Sequence, residues 1–453
     1  MLKLLRSWWE DQLLRGVLKN SSYLFSSNTV AAGLSFLQGI LATRLLGVDG
    51  YGLVSGTIIV FVSNIHSLLS FRMSETVVRF TASALKDGLQ DQAAAVVKVA
   101  GLLEAATSLL AYLVLLLLAP WSANLLTKEA GTTSLFTFYG LALLVNLFFE
   151  TSTGVLRAAR RFDRIAQVNL GQSLVTFAVI GWAAWTKQGA REVLGAYLAG
   201  KAFGGLALFI FAMRQAEQEY GQDWWRVPLR LVPDLRGLLN FAINTNLNGT
   251  LNLLTRDSLP LYLAGFRSRE EVGYFRLGQG LINLVMLPIE PIIWPTYTEI
   301  THTIVARQWA ATKRLLKRVS GIAGIWTFGA GGLLALTGWW IIPLLYKAAA
   351  APAYPAVLIL LVGYGFANIF QWNRPLLLAL GKPSFPVLTA AGFGLLELLL
   401  VLWLVPTNGY LALAAILSAY FLATISTNVW KGLAALRNAS HDDTIPSAAG
   451  HRS

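Results

Sequence analysis

The feature that most constrains this chain is a series of twelve apolar stretches separated by short polar segments. A helix needs about 20 apolar residues to cross roughly 30 Å of hydrocarbon, and each stretch is of that order. Numbered spans 1 to 12 in chain order, they lie at residues 21–43, 51–71, 96–119, 132–152, 166–186, 192–213, 237–263, 273–298, 319–345, 355–373, 385–405 and 410–430. The sequence therefore predicts an all-α polytopic membrane protein.

The composition indicates a protein whose surface lies mostly in lipid. Of 453 residues, 55% are hydrophobic and only 13% are charged, whereas a soluble domain carries about 25% charged residues. Because there is no cysteine, a disulfide framework, a cysteine zinc cluster and a thiol nucleophile are excluded. The four histidines are too scattered to favour a metal site, and the Gly-rich run at 329–332 lacks the Lys-Ser/Thr of a phosphate-binding loop. We therefore predict no cofactor and no enzyme.

The distribution of positive charge predicts the orientation in the membrane. With the N-terminus inside, 26 of the 36 Lys and Arg residues fall in inner segments and 7 in outer loops. Basic residues concentrate on the cytoplasmic side of membrane proteins, so both termini are expected there. The net charge of +13 then predicts anionic membrane lipids as a partner rather than nucleic acid.

The polar segments divide the chain into five parts. Residues 1–19 alternate apolar and charged side chains, which predicts an amphipathic helix lying on the membrane surface. Residues 20–214 hold spans 1–6, and residues 237–432 hold spans 7–12. The segment 215–236 is expected to link the two lobes along the membrane surface. Residues 433–453 are polar enough to predict a disordered cytoplasmic tail.

The two halves of the chain echo each other. Gly47 and Gly265, in the first and fourth outer hairpins, are 218 positions apart, and Tyr51 and Tyr274 are 223 apart. A third echo, 221 positions apart, sets residues 161–163 against 382–384. Duplicated halves are typical of transporters, whose substrate site lies between them. We expect two pseudo-symmetric six-helix bundles around a central cavity.

Several motifs resemble those of one membrane protein family. They are the hairpin Arg44-Leu-Leu-Gly-Val-Asp-Gly-Tyr-Gly52, the segment 74–80 ending span 2, the Gly265…Gly273-Tyr274 hairpin, Pro288…Pro295, Leu380-Gly-Lys382 and Asn408-Gly-Tyr-Leu411. In this order, over nearly the whole chain, they resemble the polysaccharide-biosynthesis (Wzx-type) flippases of the multidrug/oligosaccharidyl-lipid/polysaccharide (MOP) exporter superfamily. Arg72 and Ala412 stand where that family usually has glycine.

The resemblance implies a fold and a function. The fold would be that of multidrug and toxin extrusion (MATE) proteins, and the function would be flipping of a polyprenyl-pyrophosphate-linked oligosaccharide across the inner membrane by alternating access. The lipid-linked oligosaccharide and polysaccharide polymerase or export machinery would then be partners. Two alternatives stay open at this point: a MATE-type multidrug/cation antiporter and a lipid II flippase. A cation exporter should have an acid-lined cavity, whereas this chain offers mostly Arg, Lys and Asn.

Span 7 carries the most regular polar pattern. Asn240, Asn244, Asn248, Asn252 and Arg256 follow one another at intervals of four residues, so they share one face of a helix. Polar groups inside a membrane are costly and normally face a cavity or a partner. This polar ladder predicts either the lining of a path for sugar hydroxyls and phosphates or hydrogen bonds between helices.

Further arginines are candidates for binding the anionic part of a substrate. Arg256 and Arg276 lie near the outer ends of spans 7 and 8, where a guanidinium can hold a pyrophosphate or instead pair with an acid such as Asp257. Arg72 and Arg79 flank Glu75 at the inner mouth of span 2. They would either receive an anionic headgroup or form a solvated ion-pair face.

Three ionisable residues within the spans are candidates for coupling to Na⁺ or H⁺. Glu104 and Lys201 lie near the middle of spans 3 and 6, and form either a structural pair or a coupling site. Glu290 stands between Pro288 and Pro291, which break the helix and free carbonyls, so this segment is expected to be either a site for Na⁺ or H⁺ or only a kink near the inner surface. In the outer hairpins, Arg44, Asp49, Gly47 and Gly265 are expected to form gates or simply exposed turns.

Overall fold

The computed structural model describes the backbone of residues 12–70 and 73–442. Side chains are described in the same ranges except for 12–26, 86, 244–249, 251–252, 291, 294 and 441–442. Arg72, residues 1–11 of the predicted amphipathic helix and residues 443–453 of the predicted tail lie outside this description. Throughout the described ranges the chain forms helices joined by short turns, with no strand, so the predicted all-α fold is confirmed.

The contacts divide the chain into two compact units, unit 1 (Met1–Gly265) and unit 2 (Phe266–Ser453). Unit 1 contains three π-helical stretches, Gly52–Ile58, Ala123–Thr127 and Leu253–Asp257. Its α-helices are α1 (Gln12–Tyr51), α2 (Ile59–Leu69), α3 (Met73–Lys86), α4 (Gln90–Ser122), α5 (Thr133–Val145), α6 (Phe149–Ala158), α7 (Phe162–Trp185), α8 (Ala190–Tyr220), α9 (Leu235–Asn252) and α10 (Leu259–Phe266).

Unit 2 also consists of α-helices joined by short turns, and it has fewer of them than unit 1 in the described chain. Its α-helices are α11 (Arg269–Met286), α12 (Ile293–Val305), α13 (Trp309–Tyr346), α14 (Ala353–Ile369), α15 (Asn373–Ala379) and α16 (Ser384–Asp442). The long helix α16 contains two predicted spans and turns at Gly409, where φ is +66°. A positive φ is readily adopted only by glycine, so this residue separates span 11 from span 12.

The helices account for the predicted spans. By length and hydropathy, eight helical stretches of the described chain are able to cross a membrane, and two of them, Ser27–Leu85 and Ser384–Ser440, each contain two predicted spans. Spans 7 and 8 are not among the eight: the first carries the polar ladder, and the second is interrupted after Met286. The break in span 8, predicted from its prolines, is thereby confirmed.

Helix ends in this protein are marked by basic residues in an unusual backbone conformation. Among the described residues, the non-glycine positions with positive φ are all Lys or Arg and all follow a helix: Lys128, Arg160, Lys187, Arg307 and Lys347. A left-handed residue after the last turn lets the chain close the helix and leave it. A cation at that place also interacts favourably with the negative end of the helix dipole.

Residues of the predicted linker pack on unit 1, and the first part of the predicted tail is helical. Trp224 is buried among unit 1 residues, and the Lys98 ammonium donates a hydrogen bond to the Val227 carbonyl at 3.1 Å. The helix α16 continues to Asp442, so residues 433–442 are not the start of a disordered tail. The apolar side chain of Leu436, which is fully buried against Trp372 and Leu376, explains this extension.

The sequence repeat between the two halves is matched by the positions at which helices begin and are interrupted. Helices α4 and α7 of unit 1 begin at Gln90 and Phe162, and α13 and α16 of unit 2 begin at Trp309 and Ser384. Span 4 is interrupted at residues 146–148, and span 10 is interrupted at the corresponding residues 370–372. Spans 3 to 6 and spans 9 to 12 therefore share one arrangement of helix starts and breaks, and the boundary between the predicted lobes, at 215–236, stays a prediction.

Candidate functional site

Unit 1 encloses a polar cavity of about 270 Å³ beside the break in span 4. Helices α2, α5, α6, α7 and α8 each contribute to its wall. The polar and charged side chains that line it are Ser63, His66, Ser67, Tyr139, Asn146, Glu150, Gln172 and Lys201. Polar and ionisable side chains are costly inside a membrane, so a group of them normally marks a functional site. This polar cavity among membrane-crossing helices is therefore a candidate functional site.

The cavity brings together ionisable groups from three different helices. His66 on α2, Glu150 on α6 and Lys201 on α8 all line it. Glu150 and Lys201, both fully described, are not joined by an ion pair, and the Nε2 atom of His66 is buried with no hydrogen-bond partner among the described residues. A buried polar atom without a partner is costly. The arrangement is therefore suited to accept a proton or a small polar ligand.

Glu104 does not reach this cavity but determines the shape of its wall. Its fully buried carboxylate accepts the backbone N–H groups of Glu150 at 2.7 Å and Thr151 at 2.8 Å. These N–H groups belong to the first turn of α6, which has no carbonyl partners inside the helix. A carboxylate at this end also interacts favourably with the helix dipole. Glu104 thus caps the second half of span 4 and holds Glu150 at the cavity.

The predicted contact between Glu104 and Lys201 is not formed as an ion pair within the described residues. Glu104 is satisfied by backbone N–H groups, and Lys201 lines the cavity on another helix. Sequence reasoning did not select Glu150 or His66 as site residues. The signal that would have found them is their position, since each is an ionisable residue within a predicted span.

A second polar group of unit 1 lies at the other predicted functional region, the inner end of spans 2 and 7. The exposed guanidinium of Arg79 lies 4.5 Å from the centre of the Phe241 ring and 5.8 Å from that of Phe80. Asn240, the neighbour of Phe241 in α9, is exposed as well. The structure therefore places the Arg79 guanidinium in cation–π contact with the ring of Phe241, the residue that follows Asn240 in α9.

The predicted polar ladder follows a helix that changes its winding. The backbone is α-helical over Leu235–Asn252 and π-helical over Leu253–Asp257. Arg256, in the π-helical turn, is exposed, whereas the side chains of Asn244, Asn248 and Asn252 lie outside the described residues. The regular spacing of four therefore holds through Asn252 and is altered at Arg256, in a type of helix bulge that is frequent at functional sites.

The predicted site residues of span 8 belong to unit 2. Arg276 is half-buried on α11, and its Nη1 donates a hydrogen bond to Gln279 Oε1 at 3.2 Å. Glu290 is exposed in the 3₁₀ turn Glu290–Ile292 that bridges α11 and α12. Their roles in binding pyrophosphate and in ion coupling stay predictions.

In unit 2, hydrogen bonds of Arg267 and Glu271 join the start of span 8 to the turn between spans 11 and 12. Arg267 donates to Glu271 Oε1 at 2.8 Å and to the Pro406 carbonyl at 3.2 Å, and Glu271 Oε2 accepts the Tyr410 N–H at 3.0 Å. A side chain at Gly409 would collide with the Glu271 carboxylate. We call Arg267, Glu271, Gly409 and Tyr410 the outer clasp, since they tie the start of span 8 to the turn between spans 11 and 12.

The residues predicted as gates are placed differently. Arg44 and Asp49 are exposed on either side of Gly47, whose φ of +74° turns the chain from span 1 into span 2. Gly265 lies in the last turn of α10. The hairpin geometry predicted for Gly47 is thus observed, and the gating role of all four residues stays a prediction.

Comparison with known proteins identifies the family. The family model described as "Polysaccharide biosynthesis protein" matches residues 17–299, more than half of the chain. The chain therefore belongs to this polysaccharide biosynthesis family, as its motifs predict. Inner membrane protein YghQ of Escherichia coli (strain K12) is 24% identical over 267 residues, which cover 58% of this chain and 73% of that protein. Together with its helices, this supports a multi-pass inner membrane protein.

Solved structures share the fold at low identity. An inward-facing multidrug resistance MATE family transporter of the MOP superfamily matches with a TM-score of 0.68 and 14% identity, over 91% of this chain and 96% of that one. The lipid II flippase MurJ, in an inward closed conformation, matches with a TM-score of 0.70 and 11% identity, over 92% and 90%. A MOP superfamily transporter from Pyrococcus furiosus matches with 0.59 and 12%, over 94% and 96%. The predicted MATE-like fold of about twelve membrane helices is confirmed.

Proposed function

We propose that this protein is a flippase that moves a polyprenyl-pyrophosphate-linked oligosaccharide across the cytoplasmic membrane by alternating access. The observation that carries the proposal is that span 7 exposes polar side chains at both ends of its predicted ladder, Asn240 and Arg256. A polar side chain exposed on a membrane helix faces either lipid, at high cost, or an aqueous path. The amide suits sugar hydroxyls, and the guanidinium suits phosphate oxygens.

The surroundings of Asn240 support loading of such a substrate at the inner end. Arg79 presents its guanidinium there, oriented by contact with the Phe241 ring at 4.5 Å. The guanidinium offers charged hydrogen bonds to a pyrophosphate, and the exposed amide of Asn240, next to Phe241 in the sequence, offers hydrogen bonds to sugar hydroxyls. The predicted orientation, with both termini cytoplasmic, puts this group on the side where lipid-linked precursors are assembled. Arg72 and Arg276 remain candidates for the same anionic substrate.

Energy for the movement would enter through the cavity of unit 1. We assign ion coupling to His66, Glu150 and Lys201, and we assign to Glu104 the capping of α6 that positions Glu150. His66, which lines this cavity beside Glu150, carries an imidazole, the type of side chain that proteins use to take up and pass on a proton. A proton is therefore the favoured coupling ion, and Glu290 is the candidate if Na⁺ is used instead.

The test is a flipping assay with the full chain in proteoliposomes. The probe is a polyprenyl-pyrophosphate oligosaccharide placed in one leaflet, and the readout is the appearance of its sugar to an impermeant lectin. Wild-type protein should accelerate transfer, and Arg79→Gln should slow it about tenfold or more through the loss of a charged hydrogen bond. The matched control Arg230→Gln, which removes another exposed cation from unit 1, should transfer at the wild-type rate.

The same assay separates coupling from transfer and this function from its rivals. Glu150→Gln should abolish the response to an imposed pH gradient, while transfer along the substrate gradient persists. An unchanged response would remove the cavity from the coupling mechanism. Transport of a cationic dye without transfer of the glycolipid would favour the antiporter, and transfer of lipid II alone would favour the lipid II flippase.

A further inference from the structure

A cleft in unit 2 carries a concentration of positive charge. It has a volume of about 810 Å³ and lies between the turn that precedes α13 and the last turns of α16. Four of its lining residues are the cations Arg307, Lys313, Arg314 and Arg437, and none of the described lining residues is acidic. We call this the basic cleft. The described lining of the cleft therefore favours an anion.

The backbone at the start of α13 adds to the positive electrostatic potential in the cleft. Helix α13 begins at Trp309, and its first residues, Trp309, Ala310 and Ala311, line the cleft. The N–H groups of a first turn have no partners inside the helix, and this end carries the positive part of the dipole. The side-chain cations and the helix start therefore favour the same negatively charged group.

The surface that leads away from the cleft is apolar. Arg314, Arg318, Ile322 and Ile325 follow one another at helical spacing along one face of α13, and the two isoleucines are 59% and 79% exposed. At 1.5 Å per residue, Ile325 lies about 17 Å from Arg314 along the axis, comparable with the ~15 Å of hydrocarbon in one leaflet. Cations at the end of the helix and exposed apolar residues beyond them match the profile of a lipid.

The second helix of the cleft repeats this order. On α16, Arg437 is preceded on the same face by Leu433 and Trp430, which are 39% and 68% exposed. Trp430 lies about 10 Å from Arg437 along the axis. The cleft is thus bounded on both sides by a helix that presents a cation at its end and apolar side chains toward the membrane interior.

We propose that the basic cleft binds an anionic phospholipid of the cytoplasmic leaflet. The headgroup phosphate lies among Lys313, Arg314 and Arg437, and the acyl chains run along the exposed apolar faces of α13 and α16. Basic pockets between membrane helices on the cytoplasmic side bind such headgroups. A soluble phosphate compound would use the cations but leave the apolar faces unexplained. This site does not depend on which substrate the protein transports.

The experiment is a lipid titration of the purified full chain by native mass spectrometry. The probes are phosphatidylglycerol and phosphatidylcholine, added to the protein in detergent. The triple variant Lys313→Gln, Arg314→Gln, Arg437→Gln should bind phosphatidylglycerol about tenfold to a hundredfold more weakly, since each basic residue contributes several-fold. Its binding of phosphatidylcholine should be unchanged. Wild-type affinity for phosphatidylglycerol in the triple variant would overturn the proposal.

A matched control separates a built site from general charge. The variant Arg214→Gln, Arg230→Gln, Arg236→Gln removes three exposed cations of unit 1, and it should leave phosphatidylglycerol binding unchanged. An equal loss in this control would overturn the site. Displacement of the lipid by millimolar inorganic phosphate would overturn the lipid as occupant in favour of a soluble phosphate. If the triple variant does not fold, Arg437→Gln alone should weaken binding about fivefold while Arg437→Lys retains it.

Discussion

Span 4 in unit 1 and span 10 in unit 2 are interrupted at corresponding residues, 146–148 and 370–372. The two breaks differ in the side chains that lie beside them. In unit 1 the second half-helix is capped by the buried carboxylate of Glu104, and an ionisable cavity adjoins it. Ala323 lies at the corresponding position of α13, fourteen residues after the helix start, as Glu104 does in α4. In unit 2 the indole of Trp372 instead donates to Ser320 Oγ at 2.6 Å.

The two halves of the chain thus share the helix breaks but not the charges beside them. A break leaves backbone groups that must find partners, and either a carboxylate or an uncharged hydrogen-bond network satisfies this need. Only the carboxylate brings an ionisable group into the membrane. The break in unit 1 therefore has a buried carboxylate beside it, whereas the break in unit 2 is closed by neutral hydrogen bonds and is followed by the exposed Arg374.

The largest effect is expected when the charge of unit 1 is copied into unit 2. Ala323 is 1% exposed, and Ala323→Glu buries a carboxylate about one helical turn from Ser320, which accepts the Trp372 indole N–H. An uncompensated buried charge costs about 3–5 kcal/mol. The thermal midpoint of the purified protein should fall sharply, and that of Ala323→Gln less. A variant as stable as wild type would mean that both breaks accept a carboxylate cap.

A smaller loss is expected when the cap of unit 1 is neutralised. In Glu104→Gln, one of the two backbone N–H groups faces an amide NH₂ in place of an oxygen, at a cost of about 1–3 kcal/mol. The measurement is again thermal unfolding in detergent. The matched control is Glu150→Gln, the same chemical change on the cavity wall, where the Ser74 N–H bond is long at 3.4 Å. Equal shifts in the two variants would contradict the capping role.

The smallest effect is expected from the neutral network of unit 2. Trp372→Phe removes the indole donor to Ser320 and should cost about 0.5–1.5 kcal/mol, the usual contribution of one hydrogen bond. Trp339→Phe, at a side chain that is 64% exposed, is the control and should be close to neutral. The double variant Trp372→Phe, Ser320→Ala should lose less stability than the sum of the two single variants, because both remove the same hydrogen bond. A loss equal to that sum would mean that the two side chains are not coupled at this break.

Much of the fold could be predicted from the sequence because membrane helices are recognised by their length and hydropathy. The spans, the echo, the turn at Gly47 and the break near Pro288 all follow from local rules. The site could be predicted only in part. Glu104 was selected for its depth, but its partner is the backbone of α6, and the break that frees those N–H groups has no proline or glycine to signal it.

The grouping of span 7 also depends on contacts that the sequence does not encode locally. Helix α9 packs on unit 1 through Leu238, which is fully buried against Val96 and Val99, and Phe241 contacts Phe80. These are contacts between residues more than a hundred positions apart. Counting spans assigns the polar ladder of span 7 to the second half of the chain. The contacts of α9 place it in unit 1 instead.

The basic residues that close helices have a consequence for how the chain is inserted. Lys128, Lys187 and Lys347 belong to outer loops in the predicted orientation, where positive charge opposes correct insertion. Each is a left-handed residue at a helix end, and Arg267 holds the outer clasp. Four of the seven outer cations thus have a task in the folded protein. In the predicted orientation, the larger number of basic residues in the inner segments would set the topology during synthesis, before any of these contacts exist.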